Sequence, residues 1–370
     1  MTERGRAAMT TLGDVCATAR IIVACGTGGV GKTSVAAAMG LVAARQGRRA
    51  VVLTIDPARR LTDAIGVSDT IGNEPVRVPL DVTGEMWISM LDVRETFDGL
   101  VRDTATTPDR AAEVLDNSFY KSLSQSISGT RDYMAAERLF ELSADPRFDV
   151  VVVDTPPSRN ALDFLESPER LARFLKHPIV RLLVAPGRGG LRLAGTAMQP
   201  VLRIISGIVG SDALSGAVAF LRAFDGMESE FSRRALAVAA ALRGDDTAFV
   251  VVSGPSADAL GESGHFVDEL RRLDINLRTV VLNRMPPVFG DVTSAEAHRI
   301  AASSTGDTAV AHRLLADLTA DAEGARDRTG VFLERARRAH PSISVATAAE
   351  MAVDIHDLDS IATLADLLTR

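Results

Sequence analysis

The chain has 370 residues, 46% of them hydrophobic, and a net charge of −7 from 41 Lys and Arg against 48 Asp and Glu. This size supports one large α/β domain or a domain with an insertion, and the acidic balance argues against nucleic acid as the main partner. The two cysteines, Cys16 and Cys25, form no CxxC pair. That excludes a thiolate zinc site, is too few thiols for a metalloid site, and fits a reducing, cytoplasmic compartment.

The opening stretch, MTERGRAAMTTLGDVCATAR, lacks the apolar core of a signal peptide, and residues 1–19 read as an N-terminal extension. No run reaches 18 uncharged apolar residues, so no membrane-spanning helix is expected. Short apolar runs predict strands at Ile21–Cys25, Ala50–Ile55, Met86–Leu91, Val150–Val153, Ala248–Ser253, Arg278–Leu282 and Ile343–Thr347. Most are continuous rather than alternating, the mark of a sheet covered on both faces. Helical stretches separate them, so the sheet is expected to be largely parallel and doubly wound. Residues 93–147 and 160–242 read as helical, a subdomain inserted into a single domain spanning 20–370. The six histidines are scattered along the chain and read as surface or satisfied core residues.

Residues 26–33 read GTGGVGKT, between the apolar run RIIVAC and the helix-like SVAAAMGLVAARQG. This is the setting of a phosphate-binding loop. Glycines let the backbone wrap around phosphate oxygens, and the following helix adds the positive end of its dipole. Gly26, Thr27, Gly28, Gly29, Val30, Gly31, Lys32, Thr33 and Ser34 are therefore the candidate nucleotide-binding residues. Lys32 would bring a full charge to the terminal phosphates, and Thr33 is placed to ligate Mg²⁺. The only lysines among the 41 basic residues are Lys32, Lys121 and Lys176, so a compact ammonium at position 32 suggests a chemical requirement. The plain alternative is a tight strand-to-helix turn without a ligand.

Two more strands end in an acidic residue: Asp56 in VVLTIDPARRLTDAIG and Asp154 in VVVVDTPPSRNALDF. In a doubly wound sheet the carboxyl ends of neighbouring strands line the ligand crevice. Asp154 has the pattern of a carboxylate that reaches Mg²⁺ through water, and Asp56 could orient or deprotonate an attacking water. For each, the alternative is a cap on the next helix.

The motifs GTGGVGKT, TIDPARRLTDA and DTPPSRNALDFL, with SGPSADAL and VVLNRM later, resemble the arsenite-pump ATPase (ArsA) family, which includes the ATPase that guides tail-anchored membrane proteins. The likeness runs from about Arg20 to Leu368 and is nearest a bacterial, single-unit branch. It implies a deviant phosphate-loop (SIMIBI) ATPase using ATP and Mg²⁺, with switch I around Asp56, switch II around Asp154, and Asn283 at the position that contacts adenine. Asp56 and Lys32 are then the catalytic candidates, and Thr33 and Asp154 the metal-site candidates. The sequence departs from the family in carrying Thr27 where a lysine normally reaches across the dimer. Arg59, Arg60 or Arg159 could supply the missing charge, as an arginine finger does.

Between Arg170 and Ser211 there is no acidic residue, while basic residues interleave with Leu, Ile and Val. Such a segment could face an anionic membrane or a hydrophobic helix, or be a solvated basic face. The resemblance implies a homodimer, or a heterodimer with a related ATPase subunit, coupling ATP state to a client, with a membrane protein or membrane surface as the candidate partner. The alternative is a nucleotide-binding scaffold or heterodimer subunit with negligible hydrolysis.

Overall fold

The computed structural model describes residues 11–55, 71–117, 120, 128–155, 163–175, 220 and 227–370. These form an eight-stranded sheet and eleven helices. The strands are β1 (Ile21–Gly26), β2 (Arg49–Thr54), β3 (Val76–Arg77), β4 (Glu85–Met90), β5 (Val150–Asp154), β6 (Thr247–Ser253), β7 (Leu277–Met285) and β8 (Ser344–Ala349). Their spatial order is β3-β4-β2-β5-β1-β6-β7-β8. Every pairing is parallel except β3 with β4. All seven expected strands are present within a residue or a few of their expected bounds. The sequence reading missed β3, a two-residue edge strand with both residues exposed, too short to carry a hydrophobic period.

The helices are α1 (Leu12–Thr18), α2 (Lys32–Arg45), α3 (Val93–Thr104), α4 (Pro108–Asp116), α5 (Ser128–Ala144), α6 (Asp163–Leu175), α7 (Glu228–Leu242), α8 (Ala257–Arg272), α9 (Ser294–Ser303), α10 (Asp307–Ala339) and α11 (Leu358–Thr369). Among the described residues no helix is long and apolar enough to cross a membrane.

The sheet's central strands are buried along their whole length, as a parallel sheet with both faces covered requires. Helix α2 is buried nearly all round because α1 and α11 pack on it while it presses on the sheet. Its alanines permit that, and Gly40 permits it most: a Cβ there would stand 2.5 Å from Val52 Cγ2. Helix α1, within the stretch read as an N-terminal extension, adds Leu12, Val15 and Cys16 to the same core. It is capped by Thr11, whose hydroxyl accepts from Asp14 N.

The described residues divide into two compact units. One carries the sheet with α1, α2 and α8–α11. The other is helical and holds α3, α4, most of α5, α6 and α7. Its own core includes Phe97, Leu100, Tyr120, Tyr133, Met134 and Phe231.

Candidate functional site

The order of strands places a topological switch between β1 and β6. From β1 the chain moves outward through β2 on one side, and from β6 through β7 and β8 on the other. Ligands of such sheets bind at the carboxyl ends of the strands beside that switch. The loop from Gly26 to Gly31 sits there.

Two glycines shape it. Gly26 has φ 146°, and a Cβ on it would lie 2.1 Å from the Val252 carbonyl oxygen of β6. Only a residue without a side chain lets β1 turn so close to its neighbour. Gly31, at φ 87°, is the N-cap of α2. The helices α1, α3, α4, α8, α9 and α11 each carry a side-chain cap, from Thr11, Asp92, Thr107, Ser256, Thr293 and Asp357. Helix α2 has none, and no acidic residue in its first turn. Its leading amides and dipole end thus remain available to an anion.

Lys32 is buried, and its Nζ donates to the Thr27 carbonyl at 2.6 Å, folding the ammonium back over the loop. The Thr33 hydroxyl donates to Asp154 Oδ2 at 2.7 Å, and the Thr54 hydroxyl to the same oxygen at 3.4 Å. Asp154 is fully buried at the end of β5, which pairs with β1 on one side and β2 on the other. The loop and the carboxylate therefore meet because β1 and β5 are neighbours. Thr155 fastens the same corner: its hydroxyl donates to the Ala24 carbonyl at 2.8 Å. That contact had no sequence signal beyond the position of a threonine after DVVVVD's last carboxylate.

Asn283 was expected at an adenine-contacting position. It is buried, and its Nδ2 donates to the Val30 carbonyl at 2.8 Å. The register of β7 against β8 slips between Leu282 and Met285, and Arg284 has φ 57°. A bulge of this kind re-aims a side chain at a sheet edge, and nothing in the sequence announced it.

Thr27 is 8% exposed, and its hydroxyl has no hydrogen-bond partner among the described residues. A buried hydroxyl without a partner marks a place where an outside group can accept or donate. Gly28 and Gly29 are exposed at the loop's crown, and Ser34 lies half-buried in the first turn of α2. Asp56, Arg59, Arg60 and Arg159 lie outside the described residues, as does most of the basic stretch between residues 170 and 211.

The residues present suit a triphosphate with a hard cation. Mg²⁺ prefers oxygen donors and is usually held by one or two protein oxygens plus phosphates and water, which matches a hydroxyl and one carboxylate. No group of three or more His, Cys, Asp or Glu gathers among the described residues.

A glycine-rich loop feeding an uncapped helix, at the switch point of a mostly parallel sheet, defines the phosphate-loop nucleoside triphosphatase fold. Within that class the chain belongs to the anion-transporting ATPase (ArsA) family, whose model matches residues 19–301. It is similar to an uncharacterized protein of Streptomyces coelicolor, 36% identical over 194 residues, covering 51% of this chain and 45% of that one. It is also similar to an ATPase ASNA1 homolog of Entamoeba dispar, 22% identical over 268 residues (71% of this chain, 75% of that one). The ATPase GET3 of Kluyveromyces lactis is 25% identical over 283 residues, 72% of either chain. The chain thus spans under half the length of the Streptomyces relative and about three quarters of the other two.

Proposed function

We propose that the chain is an ATP-binding, Mg²⁺-dependent ATPase whose nucleotide state governs a dimer and its affinity for a client. The observation that carries this reading is the Thr33–Asp154 pair at 2.7 Å beside a buried lysine and an uncapped helix N-terminus. In this reading the amides of the loop bind the phosphates. Lys32 exchanges its bond with the Thr27 carbonyl for one to a terminal phosphate oxygen. Thr33 and Asp154 would hold Mg²⁺, which when bound neutralises charge on the phosphates. Asp56 orients and deprotonates the attacking water, and an arginine among Arg59, Arg60 and Arg159 supplies the charge that Thr27 lacks.

Thr27 favours a second reading, a nucleotide-binding subunit with negligible turnover. Its short side chain is buried in its own loop and cannot reach across to a partner's phosphates as a lysine does. Binding without turnover would then be completed by a related subunit.

Phosphate release by the purified chain with ATP and Mg²⁺, beside Asp56→Asn and Lys32→Ala, separates the two. Turnover lost in both variants supports the ATPase. Tight ATP binding without release, abolished by Lys32→Ala alone, supports the scaffold. A parent that binds no nucleotide ends both.

A further inference from the structure

Helix α10 is 33 residues long, about 50 Å. Its inward face is set by Ala309, Ala316, Ala322, Ala325, Phe332 and Ala336, all buried. A second, exposed stripe runs beside it. Its residues precede buried ones by two positions in the first half of the helix (Asp307 and Ala309, Leu314 and Ala316) and by one in the second (Val331 and Phe332, Arg335 and Ala336), so it lies about 160° and then about 100° from the buried face. Its first half is Asp307, Val310, Leu314, Asp317 and Asp321. Gly324 sits at the middle, and Arg328, Val331, Arg335 and Arg338 make the second half. The steps alternate three and four residues, the spacing of a coiled-coil seam, with Val310, Leu314 and Val331 its apolar members and charged residues or Gly324 at the rest. Val310, Leu314 and Val331 are 64%, 60% and 70% exposed, which is unusual for three apolar residues in line on one helix.

The charges divide by halves: carboxylates before Gly324, guanidinium groups after it. Two copies of the helix side by side in parallel would set Asp307 against Asp307 and Arg338 against Arg338. Turned end for end about a two-fold axis between residues 322 and 323, the stripe complements itself. Asp307 then faces Arg338, Val310 the stem of Arg335, Leu314 Val331, Asp317 Arg328, and Asp321 Gly324. Each layer occurs twice by symmetry. The central Gly324 offers no side chain against Asp321.

A second observation agrees. A groove of about 640 Å³ lies between α8 and the basic half of α10, floored by Leu260, Gly261 and Phe332 and edged by Arg271, Val331 and Arg335. The antiparallel arrangement brings the second copy's Leu314 over Val331 at this groove. The intramolecular bonds at the stripe include exposed ones: Asp317 with His298 at 3.4 Å, Arg335 with Asp268, Arg328 Nε to the Pro255 carbonyl at 3.4 Å and Arg338 Nε to the Glu334 carbonyl at 3.3 Å. Exposed pairs of this kind hold little energy, so they yield to a partner.

We infer that the outward face of α10 is a self-association surface, pairing with α10 of a second copy of this chain in an antiparallel, two-fold coiled coil. The apolar layers drive the contact, and the charge halves set its direction and register. It requires no nucleotide, so its failure leaves the ATPase reading untouched.

Sedimentation of the full chain without nucleotide tests it. The mass is expected to rise from 39.2 kDa toward twice that value with concentration. Asp317→Arg and Arg328→Asp each set like charges in two layers and should raise the dissociation constant roughly tenfold or more. The double variant exchanges the pair and should recover the parent's value. At concentrations where the parent is monomeric, all three should unfold at the parent's temperature, since both positions are exposed. Mixing a Leu314→Cys chain with a Val331→Cys chain should give an intermolecular disulfide on mild oxidation, with Cys16 and Cys25 buried and silent. A monomer at every concentration overturns the inference. So does a dimer indifferent to both single reversals, or one the double variant fails to restore.

Discussion

Asn283 Nδ2 donates to the Val30 carbonyl at 2.8 Å, joining the bulged end of β7 to the crown of the phosphate loop across 253 residues of sequence. The bond makes the loop's shape depend on a strand two places away in the sheet. A base resting against Asn283 would be felt by the backbone that holds the phosphates.

Asn283→Ala removes the donor and leaves the buried Val30 carbonyl without it, a loss of about 1 kcal/mol. Affinity for a non-hydrolysable ATP analogue, measured by titration calorimetry, should fall roughly fivefold to tenfold. Gly31→Ala attacks the same bond from the other side. Its Cβ would stand 2.5 Å from Asn283 Nδ2, at φ 87°, so it should weaken binding at least as much. Unchanged affinity in both variants would show that the brace is idle.

Gly26→Ala has no such latitude. The added Cβ would meet the Val252 carbonyl oxygen at 2.1 Å, and that atom belongs to a central strand rather than to a flexible side chain. Either β1 or β6 must move. The expected loss is about 3 kcal/mol or more, read as a lower midpoint in chemical denaturation or as failure to accumulate folded protein. An alanine variant with the parent's midpoint would contradict the close approach of the two strands.

These two glycines also mark how far the sequence could be read. The GTGGVGKT loop, the strands and the valine run before Asp154 were legible because each is local: a glycine pattern and continuous apolar runs. Family membership followed from the same motifs. The Thr33–Asp154 contact was legible only as convergence of strand ends. Its pairing through β1 and β5 is a matter of strand order, which no single run encodes. The Asn283 brace was not legible at all, because it depends on one extra residue in β7 relative to β8. Helix α1 was read as an extension because seven residues give too few turns to establish a period, and its burial is set by α2 and α11. Asp56 and the three arginines remain proposals, lying outside the described residues.

In the helical unit, Glu137 is fully buried and paired with Arg234, which also lies 3.4 Å from Glu141. Burial pushes the Glu137 carboxyl up despite the attraction of Arg234, so the pair is costly to desolvate. Glu137→Ala removes the buried partner and leaves the guanidinium to the more exposed Glu141 and Asp103, so it should destabilise this unit by about 1–3 kcal/mol. Replacing both, as Glu137→Leu with Arg234→Met, should cost much less. Thermal unfolding of the two variants decides it: equal losses would mean that the pair itself, rather than the charge left behind, was stabilising.

Asp149 accepts from Arg49 three times, from the backbone N at 2.8 Å, Nε at 3.0 Å and Nη2 at 2.7 Å. The Arg49 hydrogen bonds hold its carboxyl down at about 2, below the ordinary carboxylate value of about 3.9. A depressed folded-state pKa stabilises the fold above the unfolded value and is lost on acidification through the folded one. The contribution should therefore be intact above about pH 4 and fade toward pH 2. Both partners are more than a third exposed, so screening keeps it small. The difference in stability between the parent and Asp149→Asn should shrink across that window and shrink further in high salt. A difference that stays flat from pH 5 to pH 2 would assign the pair no role.

Cys16 and Cys25 are fully buried, and loss of hydration pushes both thiols up to about 12, against the opposing pull of Arg48 and Lys32 respectively. At pH 8 the thiolate fraction is then about one in ten thousand, and it is the thiolate that reacts. Burial adds a second barrier, since a bulky disulfide reagent cannot reach either sulfur without local opening. Ellman's reagent should therefore titrate no thiol in the native chain and two after denaturation. Cys25 lies in β1 immediately before the phosphate loop, so the rate of its slow native labelling reports opening of that strand's end. If nucleotide binds as proposed, ATP with Mg²⁺ should slow Cys25 labelling while leaving Cys16 unchanged, because only Cys25 adjoins Lys32 and the loop. Rapid native labelling of either cysteine would be incompatible with the packing around β1 and α1.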